Sequence, residues 1–285
     1  KDGYKHSDQL NLSLISRKTS GMNEFDGLPE AQSSNFSRFH NRISADYNSA
    51  DGLWSHVFSL ADSDFENDNF KDENSQSVSN GSTSSDKKNY QYIGSRFWQE
   101  KDQRLSLALE REKEVFKQLH PYEQGEDEGK LVERAVDSVA LEYRFDPTES
   151  LTLAASARHD DNDFFGKSNT QRLEAIYRQS DNLRLRGAWG TAVKNPTFTE
   201  LYGIYDGFVN NPNLTPEESK SFEFGFDHVR LDGRLDLGVT YFNSKLENEI
   251  YGFSNPQNTD SASERVGAEL TSSFAVSDNL LINAA

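Results

Sequence analysis

Apolar residues recur at every second position in many segments of the chain. The segments that begin at Leu151, Leu183 and Leu235 show this most clearly, with apolar residues at the odd positions and mostly polar or small residues between them. Successive side chains of a β-strand point to opposite faces, so a period of two predicts half-buried strands. The pattern predicts about thirteen strands and no helix.

The connections between the predicted strands alternate in length. Short turns rich in Asp, Asn, Ser, Pro or Gly occupy 146–150, 179–182, 232–233 and 277–279. The long polar stretches between strands are 17–35, 62–88, 111–130, 159–169, 191–220 and 247–261. All long connections would then leave one side of an up-and-down meander. This asymmetry is typical of outer-membrane barrels, which have short periplasmic turns and longer extracellular loops.

The composition favours a sheet whose two faces meet different surroundings. With glycine counted in place of tyrosine, the apolar share is about 36%, against about 45–50% in a typical soluble domain. The aromatic share of 12% is nevertheless too high for a disordered chain. Strands with a polar face toward a wet interior account for both values. Aromatic residues near strand ends, such as Tyr143, Trp189 and Tyr241, fit the girdles of such barrels.

Charge and missing motifs exclude several classes of function. A net charge of −17 argues against nucleic-acid binding, because no basic surplus is available to displace counterions from phosphates. The absence of cysteine excludes disulfide scaffolds and thiolate metal sites. The sequence has no nucleophile elbow, Walker loop, nucleotide fingerprint or His-Glu-x-x-His motif, so we predict no enzymatic activity. No stretch of 18 apolar residues predicts a transmembrane helix.

The most specific motif follows Gly190. It contains Lys194-Asn195-Pro196 and Glu200-Leu201-Tyr202, and continues in the segment Asn211-Pro212-Asn213-Leu214-Thr215-Pro216-Glu217. A strand with Glu223-Phe224-Gly225 comes next. This order resembles the barrel of the TonB-dependent outer-membrane receptors, in which a Lys/Arg-x-Pro segment precedes Glu-Leu-Tyr and Asn-Pro-x-Leu-x-Pro-Glu. The motifs cover roughly 135–285, and the first half agrees only in pattern.

Two further positions bear on the resemblance. Arg158-His159-Asp160-Asp161 is similar to the Arg-x-Asp element that precedes the motif in the family, whereas Asn195 stands where the family often has a small residue. The resemblance implies an all-β fold, namely a transmembrane antiparallel up-and-down β-barrel. Residues 1–285 would form part of that barrel domain, with about thirteen of about 22 strands. The plug domain and the closing strands are expected outside this chain.

The function implied by the resemblance is TonB-dependent active uptake across the outer membrane of a Gram-negative bacterium. The nutrient would be scarce and bulky, either a metal chelate such as a ferric siderophore or a corrinoid such as cobalamin. The implied partners are that ligand, outer-membrane lipid, and TonB through a region that precedes Lys1. Nucleic acid is not among them.

Two other classes of protein remain open at this stage. A passive porin or adhesin barrel shares the alternation and the uneven connections, but is not expected to carry the Asn-Pro-Asn-Leu-Thr-Pro-Glu segment. A soluble β-sandwich that binds a partner would explain the acidity, but it requires the apolar faces to pack against a second sheet.

Candidate ligand-binding residues lie in and beside the long extracellular connection that follows Gly190. They are Lys194, Asn195, Glu200, Tyr202, Tyr205, Asn211, Asn213 and Glu217. Pro196, Pro212 and Pro216 fix φ and remove ladder donors, so they hold this connection in a defined irregular path. The alternative is that these residues shape the loop and contact no ligand.

Oxygen-bearing residues follow one another at Asp160, Asp161, Asn162 and Asp163. Ca²⁺ prefers such ligands, so the three aspartates form a candidate calcium loop, although their spacing is not that of an EF-hand. The alternative is a hydrated loop tip. No other cofactor is predicted.

Arginines on the polar side of the strands are a further set of candidates. These are Arg144, Arg158, Arg178, Arg184 and Arg186. We expect them to pair with Glu142 or Glu174 on neighbouring strands. The alternative is that they attract an anionic ligand or the plug.

Overall fold

A computed structural model describes residues 2–5, 9–25, 32–73, 76–98, 102–119, 130–202, 210–252 and 255–285. Fourteen strands form one antiparallel sheet in which each strand pairs with the next one along the chain. They are β1 (Asp2–Lys5), β2 (Leu10–Phe25), β3 (Gln32–Asn48), β4 (Trp54–Glu73), β5 (Gln76–Trp98), β6 (Gln103–Leu119), β7 (Lys130–Thr148), β8 (Leu151–Asn162), β9 (Gly166–Ser180), β10 (Leu183–Lys194), β11 (Glu217–Arg230), β12 (Leu235–Glu247), β15 (Ser263–Ser277) and β16 (Leu280–Ala284).

The order of the strands confirms the predicted up-and-down meander. A separate two-stranded hairpin, β13 (Ile250–Tyr251) and β14 (Gln257–Asn258), lies in the connection between β12 and β15. Within the described residues, the large sheet begins at β1 and ends at β16, and no ladder joins these two strands. The structure is therefore a sheet of barrel type that this chain does not close.

One face of the sheet carries an apolar band. Residues directly opposite each other on neighbouring strands share a face. Leu14 faces Ile43, Ile43 faces Leu60, and Leu60 faces Tyr90. The band continues across the sheet through the opposed pairs Leu107–Leu141, Leu173–Trp189 and Phe224–Tyr241. We call this the outer face.

The opposite face is polar and lies on the inside of the curve. Ser44 and Ser59 are only 7% and 5% exposed, whereas their apolar chain neighbours Ile43 and Leu60 are 58% and 54% exposed. Burial of small serines beside exposed large side chains shows that the sheet curves toward its polar side. We call this the inner face. The β-sandwich alternative is wrong, because the large apolar side chains of the described strands are exposed and none of these strands forms a second sheet packed on them.

Most of the polar stretches predicted as loops are strands. Asp62–Glu73 pairs with Gln76–Lys88 in the upper part of the β4–β5 hairpin, with one register shift between Asp68 and Phe70. The stretches that begin at Arg17 and Arg111 likewise continue the ladders of β2 with β3 and of β6 with β7. Between the apolar band and the tips of the long hairpins, the side chains on both faces of the sheet are mostly polar. The hydrophobic period therefore disappears there, while the backbone ladder continues. The asymmetry between the two ends therefore lies chiefly in strand length.

Two long connections do leave the ladder, 195–216 between β10 and β11 and 248–262 between β12 and β15. The first contains a short helix, α1 (Phe198–Tyr202), where the sequence predicted none. Five residues are too few to display a helical period. In the described part of the chain, no helix has the length and apolar character needed to cross a membrane.

Candidate functional site

The connection between β10 and β11 folds over the inner face of the sheet. Its apolar residues Phe198, Leu201, Tyr202 and Leu214 pack with Phe116 of β6, and all five are buried. Phe116 lies on the inner face, because it alternates with the outward Leu109 and stands opposite Val132 of β7. We call these five residues the rim cluster. It is a small apolar core on an otherwise polar wall.

Helix α1 begins with a reciprocal cap. The Thr197 Oγ1 accepts a hydrogen bond from the Glu200 N–H at 3.2 Å, and the Glu200 carboxylate accepts one from the Thr197 N–H at 2.7 Å. This capping box satisfies amides that a helix start leaves without intrahelical partners. Glu200 therefore has a structural role, and the cap directs Phe198 and Leu201 toward the wall.

Arg134 of β7 attaches the start of the β10–β11 connection, at Pro196 and α1, to the inner face of the sheet. Its Nη2 lies 2.8 Å from the Glu114 Oε2, and its Nη1 donates to the Pro196 carbonyl at 3.0 Å. Its guanidinium also lies 4.5 Å from the centre of the Phe198 ring. The Arg134 and Glu114 side chains are mostly buried, so the Coulomb attraction between their charges is less screened than that of a pair in open solvent.

An ion pair joins the two strands that flank the segment. The Lys194 Nζ lies 2.6 Å from the Glu217 Oε2, and the Glu217 Oε1 accepts a hydrogen bond from the Ile250 N–H at 2.8 Å. Lys194 is the last residue of β10 and Glu217 the first of β11, where they stand opposite each other. The prediction that they belong to a loop was therefore wrong. The ladder extends four residue pairs into the stretch 191–220 that was predicted as a connection.

The Asn-Pro-x-Leu-x-Pro-Glu segment joins the two long connections. The Asn211 Nδ2 donates to the Pro256 carbonyl at 3.1 Å, and the Asn211 Oδ1 accepts from the Asn213 N–H at 3.1 Å. The Asn258 Oδ1 accepts from the Thr215 N–H at 2.9 Å. Asn211 thus links the two long connections by hydrogen bonding, whereas the Asn213 side chain is exposed.

Burial changes the acidity of one candidate residue. Tyr202 lies in the rim cluster, and this burial raises the pKa of its phenol, partly offset by the charge of Arg134. The hydroxyl therefore stays protonated at neutral pH. Tyr205, another candidate, lies outside the described residues.

A second group of contacts forms on the inner face around Arg158. Its Nε lies 2.8 Å from the Asp160 Oδ1, and its Nη1 lies 3.1 Å from the Glu110 Oε2. Ser138 accepts from the Arg158 Nη2 at 2.8 Å and donates to Asp160 at 2.5 Å. Asn195 lines a cavity of about 380 Å³ together with these four residues. The cavity is accessible from the inner face and has polar walls.

Sequence reasoning missed Glu110 and Glu114 as functional positions. Both alternate along β6 on the inner face, opposite Ser138 and Arg134. The stretch after Glu110 carries charges on both faces, so it was interpreted as a loop. The signal that could have found them is the run of Glu at every second position, Glu110, Glu112 and Glu114.

The aspartates proposed as calcium ligands make separate contacts. Asp160 pairs with Arg158 on the inner face, while the Asp161 Oδ2 lies 3.4 Å from the Lys167 Nζ. The Asp163 Oδ1 accepts a hydrogen bond from the Ala135 N–H at 2.9 Å. Across the described ranges, no group of three His, Cys, Asp or Glu is arranged to hold a metal ion. Calcium binding stays a prediction without a ligand set in this structure.

Three of the five candidate arginines, namely Arg158, Arg184 and Arg186, pair with carboxylates other than Glu142 and Glu174. Glu142 pairs with Arg104 at 2.5 Å, and Glu174 pairs with Arg172. Asp227 receives Arg184 at 2.9 Å and Arg186 at 3.4 Å. The partner assignment was wrong because the sequence alone did not fix the register between strands.

Comparison with known proteins adds independent findings. The sequence model of the family described as "TonB dependent receptor-like, beta-barrel" matches residues 2–284. The vitamin B12 transporter BtuB of Photobacterium profundum is 38% identical over 133 residues, which is 42% of this chain and 20% of that protein.

Solved structures share the fold. A mutant of the ferric enterobactin receptor PfeA from Pseudomonas aeruginosa superposes with a TM-score of 0.82 at 14% identity, over 99% of this chain and 49% of that one. The siderophore receptor PirA from the same species gives 0.72 at 16%, over 97% and 59%, and the copper transporter OprC gives 0.78 at 12%, over 99% and 50%. This chain therefore spans about half the length of these solved proteins.

Proposed function

We propose, from the premise that this chain belongs to the TonB-dependent receptor-like β-barrel family, that it forms part of the wall of an outer-membrane receptor for active nutrient uptake. The observation that carries the proposal is the two-faced sheet with a folded segment on its inner face. A passive wall needs no such segment. A receptor needs a shaped rim that contacts a ligand before transport.

The outer face fits a hydrocarbon environment. Its large apolar side chains, for example Leu141 and Phe224, are 49% and 47% exposed in the chain by itself. Contact with lipid would remove this surface from water, at a gain of about 25 cal/mol per Å². Paired strands also satisfy backbone groups that lipid cannot. The short turns would then lie in the periplasm and the extended hairpins outside the cell.

The rim offers polar groups to an arriving ligand. The exposed Lys194 and Asn213 and the half-buried Asn195 lie beside the rim cluster, which holds their backbone in place. The other described candidates, Glu200, Tyr202, Asn211 and Glu217, act mainly as supports. In this proposal the ligand is a scarce bulky nutrient, either a ferric siderophore or cobalamin, and no covalent bond is made or broken.

Transport would be driven through TonB. In the proposed receptor, TonB uses the inner-membrane proton gradient to remodel a plug inside the barrel, after contact with a region that precedes the barrel in the whole protein. A passive porin or adhesin, the alternative class, receives no support from the family match.

Growth of a Gram-negative host without its own cobalamin and siderophore receptors tests the proposal. The host would carry the complete gene for this protein and grow on limiting vitamin B12 or on one ferric siderophore at a time. We expect growth on one of these sources that is lost when TonB is deleted. Growth that persists without TonB would indicate a passive pore, and no growth on any source would contradict the proposed uptake.

A further inference from the structure

An arginine lies between two tryptophans at the rim where the short turns are. Arg96 of β5 stands opposite Trp54, the first residue of β4, and two positions before Trp98, the last residue of β5. Its guanidinium carbon lies 4.8 Å from the centre of the Trp54 ring and 5.7 Å from that of Trp98. Both distances are within the range of cation–π attraction.

Arg96 belongs to the outer face. It stands opposite Leu105 of β6, which alternates with the outward Leu107 and Leu109. An arginine on the lipid face of a barrel is costly at the bilayer midplane, and the cost becomes small toward the interface. The position of Arg96 two residues from the strand end therefore places the charge at the level of lipid headgroups.

Among the residues that the structure describes, no carboxylate lies against the guanidinium. Arg111, on the same face at the opposite end, lies 3.2 Å from Asp137. For Arg96, no acidic side chain within the described ranges lies close enough to form an ion pair. Asp51 and Arg96 attract each other from beyond ion-pair distance. The Asp51 carboxylate accepts hydrogen bonds from Ser49 and the Leu53 N–H. The rings contact the guanidinium, and within the described part of the chain its N–H groups have no hydrogen-bond acceptor, so they can meet one from outside.

Neighbouring aromatic residues extend the same surface. The His56 ring stacks on Trp54 at 6.1 Å between centres, and the His56 Nδ1 lies 2.9 Å from the Tyr92 hydroxyl. The position between Tyr92 and Arg96 is Gly94, where a Cβ would come within 2.4 Å of that hydroxyl. Glycine thus lets the tyrosine lie along the strand. The surface presents apolar rings with polar groups beside them.

We propose that Arg96, Trp54 and Trp98 bind the headgroup phosphate of an anionic phospholipid in the membrane leaflet at the short-turn rim. The inference rests on the membrane placement in the proposed function. The planar guanidinium matches two phosphate oxygens, and the charge-assisted bonds are stronger where the rings exclude water. The exposed ring surfaces and Leu105 would contact the upper acyl chain, which free phosphate lacks.

Native mass spectrometry of the full-length receptor in mild detergent tests this site. Phosphatidylglycerol would be titrated into the wild type, Arg96→Gln and Arg111→Gln. The second variant is the matched control, because Arg111 is also outward but already paired with Asp137. We expect Arg96→Gln to bind the lipid about tenfold more weakly and Arg111→Gln to bind it like the wild type. Arg96→Lys keeps the positive charge but lacks the planar guanidinium, so its affinity for the lipid should lie between those of the other two variants.

Further measurements distinguish lipid phosphate from free phosphate, and loss of lipid binding from loss of folding. Inorganic phosphate at millimolar concentration should leave lipid binding unchanged, and displacement of the lipid would mean a site for free anions and overturn the proposal. Equal binding by Arg96→Gln and wild type would also overturn it. Thermal unfolding of each variant, without added lipid, identifies loss of folding. Failure of the growth test with normal lipid retention would count against uptake alone.

Discussion

The Lys194 Nζ and the Glu217 Oε2 lie 2.6 Å apart across the last residue pair of the β10–β11 ladder. The two partners differ in environment, because the Lys194 side chain is 59% exposed and that of Glu217 only 8%. Loss of one partner therefore differs in cost from loss of the other. Without its partner, the buried carboxylate would lack a compensating charge, whereas the exposed ammonium group would still be solvated by water.

Lys194→Gln should loosen the segment 210–217 more than Glu217→Gln does. The first change leaves a buried carboxylate without its cation, at a cost of about 1–3 kcal/mol, while the second leaves a lysine that water can solvate. Hydrogen–deuterium exchange of the full-length receptor would measure the difference. Lys245→Gln is the control, because its pair with Glu247 is exposed on both sides. Equal exchange in the two rim variants would contradict this account.

Arg134→Lys should release α1 from the wall. A lysine keeps the charge near Glu114, but it cannot also maintain the planar contact with Phe198 and the bond to Pro196. We expect faster exchange of the α1 amides and about tenfold weaker binding of the nutrient identified by growth. The same change at Arg111, in an exposed pair, should alter neither quantity. Unchanged α1 exchange would show that the rim cluster holds the helix without Arg134.

Arginine substitutions on the two faces should have unequal effects. Leu141→Arg places a charge on the outer face, at a cost of about 2–4 kcal/mol if the site is near the membrane midplane. Ser156→Arg on the adjacent strand places it on the inner face, opposite Glu142. Urea unfolding in lipid vesicles should show a large loss of stability for the first variant and little for the second. A similar loss for both would argue against a wet inner face.

The stability of the rim should fall at alkaline pH in a manner that depends on Tyr202. Burial raises its pKa above the ordinary value near 10, so the folded state holds the proton more tightly than the unfolded state does. This stabilisation is complete below about pH 10 and is lost as the pH rises through the pKa of the folded state. Tyr202→Phe should show a shallower loss of α1 protection above pH 10. An identical pH profile in both proteins would contradict it.

The sequence predicted the fold where each strand meets two unlike environments. β8 is the clearest case, since Leu153, Ala155 and Ala157 share the outer face while Ser156 and Arg158 share the inner one. The same reasoning failed for Asp62–Glu73, because a ladder with water on both faces leaves no hydrophobic period. A search for continued pairing partners, and not for periodicity, is needed to find such strands.

The candidate site could be located from its motif, but its contacts could not. The motif placed Glu200, Asn211 and Glu217 near one another, and the structure gives all three internal partners. The Arg158–Glu110 pair is a different case. It joins β8 to β6 across the intervening β7, so it depends on register over three strands. A local sequence pattern cannot predict which residues of β6 and β8 come together across β7.

The β4–β5 hairpin continues in one ladder from Leu60 and Tyr90 up to Glu73 and Gln76. Because side chains alternate every two residues, deletion of two residues from each arm would lower its tip by roughly 7 Å and leave every lower side chain on its original face. The height of this hairpin can therefore drift during evolution without disturbing the wall below. In the proposed receptor this hairpin projects from the cell, so the surface that it presents outside can change while the membrane part of the wall stays constant.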